Sequence, residues 1–269
     1  MLSRNSINLI AHVCAAMAIC WSVTTMADER DSEQWQAVRA ALFGDRPIRQ
    51  DGREVIQLTV ATRAQDAAVV PVTLRTRMTQ SAERYIRHIW LVIDNNPSPM
   101  GVKFTLTPES GRADIETRVR LEHSSPMRAI AELNDGTLWM HTNVVFGSGG
   151  CSAPVAKNEQ ALRNLGRMKI TVEAEEARGG EPLLAQLRVS HPQYSGMGAG
   201  ARGARFVRQV NVFYGDRKVL SADLDFTISE NPSFRFYFLP NGKGELRAEV
   251  VDSEDLRFEQ ALEVTTPGS

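Results

Sequence analysis

Cysteine is almost absent from this chain. Three occur in 269 residues, Cys14, Cys20 and Cys151. The first two lie in an N-terminal apolar stretch, LIAHVCAAMAICWSV, the longest such run in the sequence. At roughly 15 residues it falls short of the about 20 needed to span a bilayer. Arg4 precedes it, and Thr25 and Ala27 occupy small-residue positions after it, so residues 1–27 read as a secretory signal peptide cut after Ala27. Without a twin-arginine pair the general secretory route is expected, and with it a periplasmic location. Once the leader is removed Cys151 is the only thiol, which excludes an intramolecular disulfide and leaves intermolecular pairing, a Cys151-linked dimer, or a working thiol.

Excess charge is missing too. Lys and Arg number 31 against 32 Asp and Glu, a balance that gives no reason to expect nucleic acid or, after cleavage, a membrane surface as partner. His88, His123, His141 and His191 are scattered, none at metal-ligand spacing with another His, Cys or acidic cluster, so no metal is expected. A nucleophile elbow is absent, because Gly147-Ser148-Gly149 lacks the G-x-S-x-G spacing. Gly198, Gly200 and Gly203 match the letters of a dinucleotide fingerprint. The run that follows is strand-like, where that chemistry needs a helix, so no cofactor is expected.

What remains is mostly strand. Trp35, Val38 and Leu42 predict one short helix, with Asp31 or Ser32 to cap its start and Gly44 to end it. Beyond it apolar residues alternate with period two in segment after segment. Residues 55–60, 69–74, 89–94, 102–106, 115–121, 129–133 and 138–145 form one set, with Asn134-Asp135-Gly136 as a hairpin turn. Residues 170–174, 183–189, 206–214, 219–226, 234–238, 246–250 and 258–264 form a second. In the triplet Phe234, Phe236 and Phe238, strand spacing marks a core stripe. Short strands with regular turns and no crossover helices predict an all-β chain, two immunoglobulin-like antiparallel sandwiches after a short N-terminal helix. The expected domains are 28–146 and 167–269, joined by a linker over 147–166 with a helical turn around residues 159–165.

The linker opens with GSGGCSAP. The neighbours of Cys151, namely Gly149, Gly150, Ser152 and Pro154, offer no apolar face, which predicts an accessible thiol on a flexible arm made by Gly147, Gly149 and Gly150. A buried, inert cysteine is the alternative. No cation adjoins Cys151 before Lys157, so nothing in the sequence activates the thiol. A second polar loop begins at His191-Pro192.

These residues resemble a known arrangement. The two halves look like the two subunits of the SoxYZ sulfur-carrier complex fused into one chain, closest to the SoxYZ-like carriers associated with quinoprotein dehydrogenases. In that family the Y subunit bears a cysteine on a Gly-rich tail, and Gly149-Gly150-Cys151 stands in the matching place. The Z subunit has a His-Pro-Met-x-Thr-Gly motif, matched in part by His191-Pro192-Gln193-Tyr194-Ser195-Gly196. An Asn-Pro before an aromatic strand appears as Asn231-Pro232. The resemblance implies a non-enzymatic covalent carrier. Cys151 would hold a sulfur intermediate as a thiosulfonate or persulfide, with no other cofactor. His191, Pro192, Gly196, Asn231 and Pro232 would lie on partner-contact loops. Its partners would be periplasmic sulfur-oxidising enzymes or a quinoprotein dehydrogenase system. Two other readings stay open: a non-covalent accessory module of such a dehydrogenase system, and a thiol enzyme such as a sulfurtransferase.

Overall fold

The computed structural model of the chain describes residues 32–153, 163–173, 180–197 and 203–265. The leader, residues 154–162 of the expected linker and the fingerprint-like residues 198–202 lie outside them, as does most of the expected turn at 159–165.

Helix α1 (Glu33–Phe43) is the one the periodicity predicts, and Ser32 is its cap: its hydroxyl accepts the Trp35 N–H at 3.2 Å. The helix lies on the first half and buries Trp35 and Phe43 against Trp90, Val92, Ile130, Leu138 and Met140. This explains the unbroken apolar run in β4 (Ile86–Ile93). Ile89, Leu91 and Ile93 face the core between the sheets, while Trp90 and Val92 face the helix side. The Arg128 guanidinium stacks 4.3 Å over the Trp35 ring and pairs with buried Asp94 at 2.7 Å.

The remaining strands of the first half are β1 (Ile48–Arg49), β2 (Ile56–Thr59), β3 (Val70–Thr76), β5 (Met100–Leu106), β6 (Ile115–Val119), β7 (Ser125–Leu133) and β8 (Leu138–Val145). The second half supplies β9 (Met168–Glu173), β10 (Leu183–Val189), β11 (Val207–Tyr214), β12 (Arg217–Leu224), β13 (Ser233–Phe238), β14 (Gly244–Asp252) and β15 (Arg257–Val264). The alternation is realised as read: Phe234, Phe236 and Phe238 point into the core, and Arg235 and Tyr237 are partly exposed. Pairing is antiparallel throughout the described strands except between β1 and β8.

Two sandwiches on a linker are expected, but the structure fuses them edge to edge. One sheet runs β1-β8-β7-β4-β5-β12-β11-β14-β15 and the other β2-β3-β6-β13-β10-β9. Each sheet therefore crosses from one half to the other, at β5–β12 and at β6–β13. The first junction runs in register from Leu106 opposite Leu220 to Val102 opposite Leu224. The second is short, Glu116 opposite Arg235, and is closed by their ion pair at 3.2 Å. Edges that would otherwise present unpaired backbone groups are satisfied by each other. A single apolar core results, in which Phe104 of the first half meets Phe234 of the second edge-on with centroids 6.1 Å apart.

Candidate functional site: a buried thiol where the halves meet

The site begins where β6 ends. Past Val119 the chain leaves the sheet and is held from three sides. The Arg120 N–H donates to the Thr227 carbonyl (2.7 Å) and the Leu121 N–H to that of Ala67 (2.8 Å). The buried Asn96 side chain brackets Leu121: its NH2 donates to the Arg120 carbonyl (2.8 Å) and its oxygen accepts the Glu122 N–H (2.9 Å).

The segment after β8 runs back along this track. The N–H groups of Gly149 and Gly150 donate to the carbonyls of Glu122 and Leu121, both at 2.9 Å. Gly150 has to be glycine, because a Cβ there would lie 2.0 Å from the Ala67 carbonyl oxygen. The Glu122 carboxylate then takes the next turn. One oxygen accepts the N–H groups of Cys151 (2.9 Å) and Ser152 (3.0 Å), the other the Ser152 hydroxyl (2.8 Å). From the second half, the Ser195 hydroxyl donates to the Cys151 carbonyl at 2.6 Å.

Two expectations are corrected here. Cys151 is not accessible: it is 1% exposed. Gly147, Gly149 and Gly150 do not form a loose arm either. Gly147 exchanges hydrogen bonds with the Ser124 hydroxyl, its N–H donating at 3.2 Å and its carbonyl accepting at 3.3 Å, and the other two are bonded as above. Composition misled because a glycine-rich run has no apolar face of its own, yet its bare backbone can lie flush against another chain segment.

Burial pushes the Cys151 thiol up to about 12. Glu122 adds to the rise, Arg120 opposes it and Asp225 adds further. The nucleophilic form of a cysteine is the thiolate, so in this conformation the sulfur is protonated and inert at neutral pH.

The His191 loop lies against the same site, turned inward. Its side chain is fully buried, and Pro192 and Pro232 are buried as well, so these residues do not face a partner as expected; Gly196 and Asn231 are exposed. The reason is reciprocal bonding between the two loops. The His191 N–H donates to the Asn231 side chain (3.1 Å), the Asn231 N–H to the His191 carbonyl (2.9 Å) and the Val189 N–H to the Pro232 carbonyl (2.9 Å). The His191 Nδ1 accepts the Gln193 N–H at 3.1 Å, which leaves the proton on Nε2, 3.6 Å from Asp252. Burial pulls His191 down to about 4 against the opposing pull of Asp252, so the ring is neutral at neutral pH. Arg120 closes the arrangement, donating from Nη1 to the Gln193 carbonyl at 2.5 Å.

The sequence signals thus converge: Cys151, the His191 loop and the Asn231-Pro232 turn are brought together at one end of the junction. Glu122 and Arg120 were missed. They sit among the alternating polar positions that read as a solvent-facing edge; Arg120 is buried where the second half brings the Gln193 carbonyl to it, and Glu122 is half-buried beneath the segment after β8. No group of three or more His, Cys, Asp or Glu among the described residues is placed to hold a metal ion.

Residues 39–151 match the family described as sulfur oxidation protein SoxY, a match that ends on the buried cysteine. Residues 170–263 match the family described as sulphur oxidation protein SoxZ. The chain is a fused SoxYZ-like protein. No curated protein sequence matches it. Among solved structures it is similar to the sulfur carrier protein SoxY from Chlorobium limicola f. thiosulfatophilum. That alignment has 24% identity, covers 42% of this chain and 91% of that one, and has a TM-score of 0.36. A superoxide reductase (neelaredoxin) from Ignicoccus hospitalis is similar at 16% identity, over 37% and 93% of the two chains, with a TM-score of 0.33. In SoxYZ terms the SoxY half supplies Cys151, Glu122 and Arg120. The SoxZ half supplies the Ser195 hydroxyl and the Gln193 carbonyl that hold them.

Proposed function

We propose that this protein is a covalent carrier in sulfur oxidation. Cys151 holds a sulfur-containing group, as a thiosulfonate or persulfide, and presents it to partner enzymes in the periplasm after residues 1–27 are removed. The observation that carries this reading is how Cys151 is held. The SoxY match ends on it, and residues 147–153 belong to no strand of either sheet. Past Gly150 the contacts on the described backbone are side-chain hydrogen bonds from Glu122 and Ser195. Such a segment can lift away without breaking a β-ladder, since hydrogen bonds of this kind contribute about 0.5–3 kcal/mol each.

The docked form is then the idle form, with the thiol buried and protonated. Loading takes place from a lifted form inside a partner's site. Joining thiosulfate to a thiol is a two-electron oxidation: RSH and S2O3(2−) give RS–S–SO3(−), one proton and two electrons. The new S–S bond forms on Cys151, and the electrons pass to an acceptor in the partner, which supplies the catalysis.

Burial of Cys151 also favours a second reading, in which the chain is a non-covalent accessory module of a quinoprotein dehydrogenase system and the cysteine is incidental. The variant Cys151→Ser separates the two. In cells lacking their own copy, the carrier reading expects it to fail to restore oxidation of reduced sulfur compounds; full restoration would sink that reading and leave the accessory one.

A further inference from the structure

Among the described residues Arg120 is a buried cation with no carboxylate bonded to it. It is 7% exposed, forms no ion pair among the described residues, and makes one side-chain hydrogen bond, to a neutral carbonyl; its Nε is buried and unpartnered. A buried charge left unpaired is strongly destabilising, and the other buried guanidinium among the described residues, Arg128, is paired with Asp94.

Its placement puts it beside the cysteine-bearing segment. Arg120 donates to the Gln193 carbonyl, and Ser195, two residues on, donates to the Cys151 carbonyl. On the other side the Gly150 N–H donates to the carbonyl of Leu121, the residue after Arg120. Arg120 and Cys151 are therefore enclosed in one ring of contacts, close enough that charge on either one stabilises charge on the other. The nearby acids do not supply the counter-charge. Glu122 is occupied by the arm's own N–H and O–H donors, and Asp225 and Glu230 act on the pair without bonding to the guanidinium. The bare thiol does not supply it either, being protonated.

We propose that Arg120 is the anion-binding residue of the docked site and pairs with an oxyanion at the far end of the group carried on Cys151. The site with a bare thiol is electrostatically incomplete, and a sulfonate-ended group completes it. A guanidinium with free N–H donors is suited to an oxyanion, whose several oxygens accept parallel bonds. The docked arm consequently favours a loaded, anionic cysteine over an empty or neutral one. This rests on Cys151 being the carrying residue.

The test uses two alkylating reagents that leave groups of nearly equal size. The mature full-length chain is unfolded in urea, alkylated at its single thiol with iodoacetate or with iodoacetamide, and refolded. Each reaction forms one S–C bond and releases iodide. The products differ in ending in a carboxylate or a neutral amide. The carboxymethyl chain should melt about 4 °C or more above the carbamidomethyl chain, as one charge-assisted bond in a chain of this size implies. The gap should vanish in Arg120→Gln and persist in Arg120→Lys, which keeps the charge. If Arg120→Gln does not fold, the wild-type pair and Arg120→Lys decide. Equal melting temperatures, a less stable carboxymethyl chain, a gap that survives Arg120→Gln, or failure of both alkylated chains to refold would each overturn the proposal. The carrier reading fails separately: if Cys151→Ser restores sulfur oxidation while the charge preference is present, the anion site stands and the carrier does not.

Discussion

At the scale of single residues, the chemistry of the site is set by what surrounds one sulfur atom. A thiol ordinarily near 9.0 is raised to about 12, chiefly by burial and then by Glu122. The sign of the consequence follows from linkage. Below about pH 9 both the folded and unfolded chains keep the proton, and the thiol adds no pH dependence. Between about 9 and 12 the unfolded chain gives up a proton that the folded chain retains, so stability falls as pH rises. Urea unfolding of the wild type and Cys151→Ser at intervals from pH 8 to 11 should show the wild type losing stability relative to the variant above pH 9. Parallel curves would contradict the buried, protonated thiol. This burial was not legible in the sequence. Gly149, Gly150 and Ser152 carry no apolar surface, and what holds Cys151 in place is the track of residues 121 and 122 together with a loop more than 40 positions away at Ser195.

At the scale of elements, the docked segment is a strip of backbone that past Gly150 is fastened mainly by one carboxylate. Glu122→Ala removes the acceptor for the Cys151 and Ser152 N–H groups and for the Ser152 hydroxyl. About 3 kcal/mol of docking is lost, at the charge-assisted value of about 1.5–3 kcal/mol per bond and allowing for water replacing part of it. The lifted population should rise roughly 100-fold, and alkylation of Cys151 by a neutral reagent at fixed pH should quicken in proportion. An unchanged rate would mean that Glu122 does not hold the segment down. Most elements were legible. The alternation at Leu183, Ala185, Leu187 and Val189 became β10, and the spacing of Trp35, Val38 and Leu42 became α1. Period-two patterning reports which face of a strand is apolar, and β10 has one such face. It failed at Arg120, whose side chain is buried although it stands on the polar face, and at half-buried Glu122, and a single sequence holds no sign of the segments that cover them.

At the scale of the whole molecule, the two halves share both sheets. Sequence patterning gives strands but not their neighbours, so the pairing of β5 with β12 and of β6 with β13 could not be read from it. That pairing places the SoxZ loop against the SoxY cysteine and makes the site a property of the fusion rather than of either half. It also predicts that the chain between the halves is not what holds them together. With a protease site inserted within residues 154–162 and cut, the two fragments should still elute as one species without denaturant, because the junction buries Phe104 against Phe234 and completes two sheet edges. Separate elution would contradict a shared core. The central claim, that Cys151 carries a sulfur group, is tested most directly by intact mass of the protein purified from its native cells without reductant, repeated after reduction. The account predicts a sulfur-containing adduct that maps to Cys151 and disappears on reduction. An unmodified thiol throughout, in cells actively oxidising reduced sulfur compounds, would contradict it.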